Sequence, residues 1–314
     1  MSHQPFHPDL RIARLLPRTI VGPRNLWLIR RLTAILDRPR SDVDIIRIDA
    51  EVSVRVFRPS RPRPRPRTPA LLWIHGGGYV LGTAAQDDRF CRRIADQLDI
   101  TVASVDYRVA PEHPFPTPLH DCYSAWRWLS EQPDVDAQRL AIGGASAGAG
   151  LAAALTLLTK ERGTIQPVLQ MLSYPMLDDR TTTRAELDRH RVRLWNADSN
   201  RFGWRSYLGP AYGNEISPLA APARYDDLTG LPTTWLGVGT NDLFHDENLA
   251  YVQRLEQAGV DCTLHVTPGG YHAFDMIEPK AAVSQTFRRS QVDALDSALN
   301  DGTNRLTDPI SDAD

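Results

Sequence analysis

A chain of 314 residues, 42% of them hydrophobic, can bury a sizeable core as one large domain with a small appendage. Its formal net charge of −2 argues against nucleic acid or a membrane surface as the main partner, and no apolar run reaches the length of a membrane-spanning helix. Three scattered cysteines, Cys91, Cys122 and Cys262, lack metal-ligand spacing and are expected as free thiols in a reducing, cytoplasmic setting.

The first forty residues are rich in Arg and poor in acids. That bias resembles a transit peptide, but the continuous apolar core of a secretory signal is missing. Leu and Ile recur instead at helical spacing, at Ile12, Leu15 and Leu16 and then at Leu26, Ile29, Leu32, Ile35 and Leu36. Pro17 and Pro23 divide the pattern into two helices, expected to pack over the fold rather than join a sheet. Residues 52–57 alternate as an edge or antiparallel strand does. The Pro- and Arg-rich run 58–69 reads as an exposed, extended connector.

Continuous apolar strands are expected at 71–74, 100–105, 140–142, 169–174, 234–238 and 262–267. Helices are expected between them, among them 86–98, 122–129 and 248–257. Apolar strands alternating with helices imply an α/β fold, a mostly parallel central sheet with helices on both faces. Residues 178–216 interrupt the alternation, first polar and Arg-rich, then aromatic with Trp195, Phe202, Trp204, Tyr207 and Tyr212. The expected organisation is N-terminal cap helices over 1–40, a core in two parts over 41–177 and 217–299, a cap insertion over 178–216, and a disordered polar tail over 300–314.

Gly144, Ser146 and Gly148 form G-x-S-x-G between the strand at 140–142 and a long Ala/Leu helix. A serine at the tip of so sharp a turn needs neighbours without side chains two residues to either side. The helix that follows aims its N–H groups at whatever the serine attacks. His75-Gly76-Gly77-Gly78 follows another strand; its bare Gly77 and Gly78 N–H groups, with that of Ala147, suit a developing oxyanion. His75 itself reads as an anchor of that loop, and the Pro-rich segment 106–116 as its support. A serine nucleophile needs a base, and the base an orienting acid, in the chain order serine, acid, histidine. Asp242 and His272 follow the strands at 234–238 and 262–267. Asp246 and Glu247 compete for the acid but read as dipole-stabilising residues at a helix start. Of the other histidines, His245 reads as solvent-facing, and His113 and His120 precede the serine.

These motifs occur together as HGGGYVLG (75–82), DYRVAPEHPFP (106–116), GGASAG (143–148), SPL (217–219), DLFHDE (242–247) and HAF (272–274). In that order and spacing the chain resembles the hormone-sensitive-lipase-like esterases of the α/β-hydrolase fold. The resemblance implies Ser146 as nucleophile, His272 as base, Asp242 as its orienter, and Gly77, Gly78 and Ala147 as oxyanion donors, under a helical cap. It implies hydrolysis of a carboxylic ester of short or medium acyl chain, with Tyr79, Phe202, Trp204 and Tyr207 around an apolar pocket. Ala145, Ala149 and Leu243 depart from the family pattern and leave the substrate subgroup open. Amide, lactone or acetyl-ester hydrolysis on the same residues, or a non-catalytic ligand-binding member of the fold, are the alternatives. The expected partner is a small-molecule ester, with a homodimer left open; no nucleic acid, membrane insertion, metal or cofactor is expected.

Overall fold

The apolar runs become strands, and helices link them. In the computed structural model, which describes residues 5–36, 43–183 and 192–300, helix α1 (Leu26–Leu36) precedes strands β1 (Asp44–Arg47), β2 (Ser53–Phe57) and β3 (Thr68–Ile74). Then come α2 (Asp88–Leu98), β4 (Thr101–Asp106), α3 (Thr117–Ser130), β5 (Val135–Ala145), α4 (Ala147–Arg162) and β6 (Leu169–Ser173). Helix α5 (Ala197–Leu208) lies in the insertion, followed by β7 (Thr233–Gly239), α6 (His245–Gln257), β8 (Cys262–Thr267), α7 (Phe274–Ile277) and α8 (Ala282–Leu299).

One eight-stranded sheet runs in the order β1-β2-β4-β3-β5-β6-β7-β8. Strands β3 to β8 are parallel, and β1 and β2 are antiparallel. Helices α2 and α8 pack together on one face, and α3 and α4 on the other. Both faces are therefore covered, which is why the central strands read as unbroken apolar runs. Helix α4 is buried along Ala147 to Thr159, so its sequence shows no polar face.

The strand order places the site. Strand β3 lies between β4 and β5, so the chain leaves β3 toward α2 and leaves β5 toward α4, in opposite directions. A crevice opens at the carboxyl ends of two such strands. Ile74 pairs with Gly144 there, which brings the HGGG loop beside the serine turn.

Two expectations need correction. The first N-terminal helix, around Ile12 to Leu16, is a series of turns. The N–H groups at its start bond outward instead, Arg11 and Ile12 donating to the Glu278 carboxylate at 2.8 and 3.3 Å, while upstream His7 N–H donates to Gly269 O at 3.2 Å. Tertiary contacts, with Pro5, Pro8 and Pro17 nearby, override the apolar spacing. Strand β2 is antiparallel to both neighbours, as its alternation allows, and the short, exposed β1 lies outside it. The helix expected over 86–98 divides into a 3₁₀ turn, Ala84–Asp87, and α2. Neither β1 nor α8 was singled out by the sequence pattern. The expected tail, 300–314, lies outside the described residues except Asn300.

The N-terminal segment and the insertion come together over the crevice. Leu194 N–H donates to Pro17 O at 2.9 Å, Ile20 N–H to Leu194 O at 3.1 Å, and Arg193 Nε to Ala13 O at 2.8 Å. Ser199 Oγ donates to Val21 O at 2.7 Å.

Candidate active site

Ser146 stands at the turn between β5 and α4 with φ 56° and ψ −121°. A non-glycine residue is held there only where its surroundings enforce it, at a cost of about 1–3 kcal/mol. The surroundings are specific. Ser146 N–H donates to Ser173 O at 2.9 Å, and Ser146 O accepts from Gly150 N–H at 3.0 Å and Met176 N–H at 3.1 Å. A Cβ at Gly148 would lie 2.1 Å from Ile74 O, and one at Gly144 2.5 Å from Gly148 O. The glycines of G-x-S-x-G therefore let α4 start directly against the end of β3.

Asp242 and His272 are held by a second close approach. The loops after β7 and β8 meet at Gly239 and Gly270, where a Cβ on Gly239 would lie 2.2 Å from Gly270 O. Asn241 N–H donates to Gly270 O at 2.9 Å, and Gly269 N–H to the Thr240 hydroxyl at 2.8 Å. From these loops the His272 Nδ1 reaches Asp242 Oδ2 at 2.8 Å, and its Nε2 reaches Ser146 Oγ at 2.9 Å. Asp242 Oδ1 accepts from Phe244 N–H at 2.9 Å. All three side chains are buried, with Ser146 7% exposed. With the carboxylate accepting from Nδ1–H, the Nε2 lone pair is turned to the serine hydroxyl. The imidazole lies edge-on between the rings of Tyr174 and Phe244, at 5.0 and 5.3 Å between centroids.

Across the crevice the HGGG loop turns through Gly77 at φ 135° and Gly78 at φ 60°. Among the described residues, the N–H groups of Gly77, Gly78 and Ala147 donate to no backbone carbonyl. The loop is braced from behind. Tyr107 stacks on His75 at 4.2 Å and donates its hydroxyl to His75 O at 2.9 Å. Ala110 N–H donates to Tyr79 O at 2.9 Å, and Arg108 forms a two-pronged pair with Asp121. The segment 106–116 thus supports the loop, as its sequence suggested.

A family model described as the alpha/beta hydrolase fold matches residues 71–276. The chain belongs to the α/β-hydrolase family. The hydrolase is 35% identical to the ethyl acetate hydrolase of Pseudomonas putida, over 74% of this chain and 75% of that one. It is 31% identical to the arylacetamide deacetylase of Oryctolagus cuniculus, over 70% and 72% of the two chains. The solved structure of a bacterial heroin esterase superposes with a TM-score of 0.84 at 35% identity, covering 94% of this chain and 98% of that one. The resemblance to esterases of the hormone-sensitive-lipase type is borne out.

The four aromatic residues expected around the pocket separate into two kinds in the hydrolase. Tyr79, Trp204 and Tyr207 are fully buried against one another, with Tyr79 and Tyr207 stacked at 3.9 Å. The Tyr79 hydroxyl donates to Met176 O at 3.0 Å. This cluster docks α5 on the HGGG loop, while Phe202, also on α5, stays partly exposed. Trp195 was not assigned to the site, yet its ring covers Gly78; a Cβ there would lie 1.8 Å from it. The cluster of aromatics in the insertion was the only hint of this, since no spacing ties Trp195 to Gly78. A cavity of about 160 Å³ lies beside the acid loop, between Arg18, Val192, Asn196, Arg201 and Leu243. It borders the site through Leu243, next to Asp242, and its lining does not include Ser146.

Glu247 does more than the helix-start role its sequence position suggests. It is buried and accepts from Leu177 N–H at 2.7 Å, Asp178 N–H at 3.2 Å and the Thr181 hydroxyl. It therefore ties α6 to the chain entering the insertion. Burial pushes its carboxyl up to about 8, against these hydrogen bonds. Asp246 is exposed and pairs with His245 at 2.8 Å, which leaves that histidine only part-exposed. Behind the site, Tyr174 donates its hydroxyl to Asp275 at 2.9 Å, and burial raises that carboxyl too.

Proposed function

We propose that the hydrolase cleaves carboxylic esters of short to medium acyl chain through an acyl-enzyme formed on Ser146. The observation that carries this reading is the continuous line from Asp242 through His272 to the Ser146 hydroxyl, at 2.8 and 2.9 Å. His272 Nε2 takes the proton as Ser146 Oγ attacks the ester carbonyl. The oxyanion is met by the N–H groups of Gly77, Gly78 and Ala147, assisted by the N-terminus of α4. The imidazolium, stabilised by Asp242, gives its proton to the departing alcohol. Water then enters, loses a proton to the same Nε2 and attacks the acyl-enzyme, releasing the acid and restoring Ser146. Trp195 over Gly78 and Phe202 on α5 bound the space for the acyl and alcohol groups. The same reading keeps the enzyme in the cytoplasm, in line with three free cysteines, two of them buried.

Nitrophenyl esters of increasing acyl length test this. Wild type is expected to show its highest kcat/KM on the short and medium chains. Ser146→Ala is expected to lose about 10⁴-fold or more in kcat with an unchanged circular dichroism spectrum. Undiminished turnover by that variant contradicts the assignment of the nucleophile, and kcat/KM rising to the longest chains contradicts the substrate class. The deacetylase relative favours a second reading, amide cleavage on the same residues. Nitroanilides in the same assay separate the two.

A further inference from the structure

The net charge of −2 conceals an uneven distribution: residues 1–40 hold eight arginines against two aspartates. The rest of the chain is therefore acidic and this end strongly basic. Exposed apolar side chains collect in the same stretch. Ile12, Leu15, Ile20, Trp27, Leu28 and Leu32 are six of the eleven large hydrophobic residues on the described surface, with Leu15 83% and Trp27 66% exposed.

Helix α1 departs from the usual arrangement, in which the outward face is polar: both of its faces carry apolar residues. Its inward face carries Leu26, Ile29 and Arg30, all half-buried. Arg30 donates to Val80 O at 2.7 Å, to Ala110 O at 2.5 Å and to both oxygens of Glu112 at 2.9 Å. The polar anchor thus points into the protein. Trp27, Leu28 and Leu32 point out, with exposed Arg24 and Arg31 beside them. Arg11, Arg14 and Arg18 are exposed along the preceding turns.

We propose that this face, α1 with the turns before it, docks the protein on an anionic lipid bilayer. Trp and Leu favour the boundary between headgroups and acyl chains, and arginines flanking them are drawn to lipid phosphates. A two-fold contact between copies through this face would set arginine against arginine, which favours the bilayer as occupant. No helix among the described residues is long and apolar enough to cross a membrane, so docking is peripheral. The total charge of −2 does not oppose this docking, because charge acts locally, within about 8–10 Å at ordinary ionic strength.

Flotation with phosphatidylcholine vesicles, with and without about one-third phosphatidylglycerol, tests the proposal on the full chain. The wild type is expected to float with the anionic vesicles, to stay behind with the neutral ones, and to be released by salt. Two variants separate the contributions: Arg24→Glu with Arg31→Glu, and Trp27→Ser with Leu28→Ser. Each is expected to lose roughly tenfold or more in binding while hydrolysing a soluble aryl ester at the wild-type rate, which also reports the fold. Wild type that does not float with anionic vesicles, or variants that bind as wild type does, overturn the proposal. So does a wild-type dimer that either variant splits without any vesicle binding, since a second copy would then be the occupant.

Discussion

At the floor of the site there is no room for a methyl group: a Cβ on Gly148 would lie 2.1 Å from Ile74 O, and one on Gly239 2.2 Å from Gly270 O. Above it, side-chain hydrogen bonds join the N-terminal segment to the core, Arg30 to Val80 and Ala110, and to the insertion, Arg193 to Ala13 and Ser199 to Val21. The floor is backbone packed on backbone, and spacing there is set by the absence of side chains. The N-terminal segment and the insertion are held by side chains reaching carbonyls, each contributing about 0.5–1.5 kcal/mol net, more where a charge is involved. The difference implies that small changes in the floor disrupt chemistry, while changes in the cap act by degrees.

Gly239→Ala sharpens this most strongly. Its methyl group must push the β7 and β8 loops apart, and these set the 2.8 Å contact between Asp242 and His272. A shift of about 1 Å is expected to lower kcat roughly 10²-fold, measured by steady-state hydrolysis with the folded fraction checked by calorimetry. Unchanged kcat would mean that the loops have another source of spacing.

Arg30→Ala is the corresponding change in the cap. It leaves the Val80 and Ala110 carbonyls without a charged donor and loosens the loop two residues beyond Gly78. The expected loss is about 1–3 kcal/mol of stability in denaturant unfolding and a several-fold fall in kcat/KM. A loss as large as that from Gly239→Ala would erase the contrast between the two regions.

Glu247→Gln gives the smallest effect, visible in pH dependence. A carboxyl raised from 4.5 to about 8 holds its proton in the folded state. The folded chain therefore binds more protons than the unfolded one between these values, and Glu247 makes stability fall as pH rises through that window. Asp87, raised to about 7 by burial, acts in the same direction. Melting temperature is expected to fall between pH 5 and about 8 in the wild type and to fall less in Glu247→Gln, whose amide oxygen can still accept from Leu177 N–H. Equal slopes would assign the pH dependence to other groups.

The same contrast governs what could be read in the sequence. Glycines at 76, 77, 144 and 148 mark places where backbone approaches backbone, and they are visible in the sequence as H-G-G-G and G-x-S-x-G. Apolar strands buried on both faces are visible for the same reason. Ser146, Asp242 and His272 follow their strands as read, and the structure brings them together. Trp195 over Gly78, Arg30 on Val80 and Glu247 under the insertion depend on contacts between distant segments, which no local pattern encodes. Ile12 to Leu16 shows the converse, an apolar spacing that invites a helix and a backbone whose first N–H groups, of Arg11 and Ile12, are drawn to Glu278. The outward Trp27 and Leu28 of α1 likewise emerge only once the inward face is known.

The central claim is that His272 turns the Ser146 hydroxyl into a nucleophile. A fluorophosphonate probe followed by peptide mass spectrometry tests it directly. Stoichiometric labelling of the peptide containing Ser146 is expected in wild type, and labelling slowed by orders of magnitude in His272→Ala. Labelling of another residue, or of Ser146 at the wild-type rate without the imidazole, would contradict it.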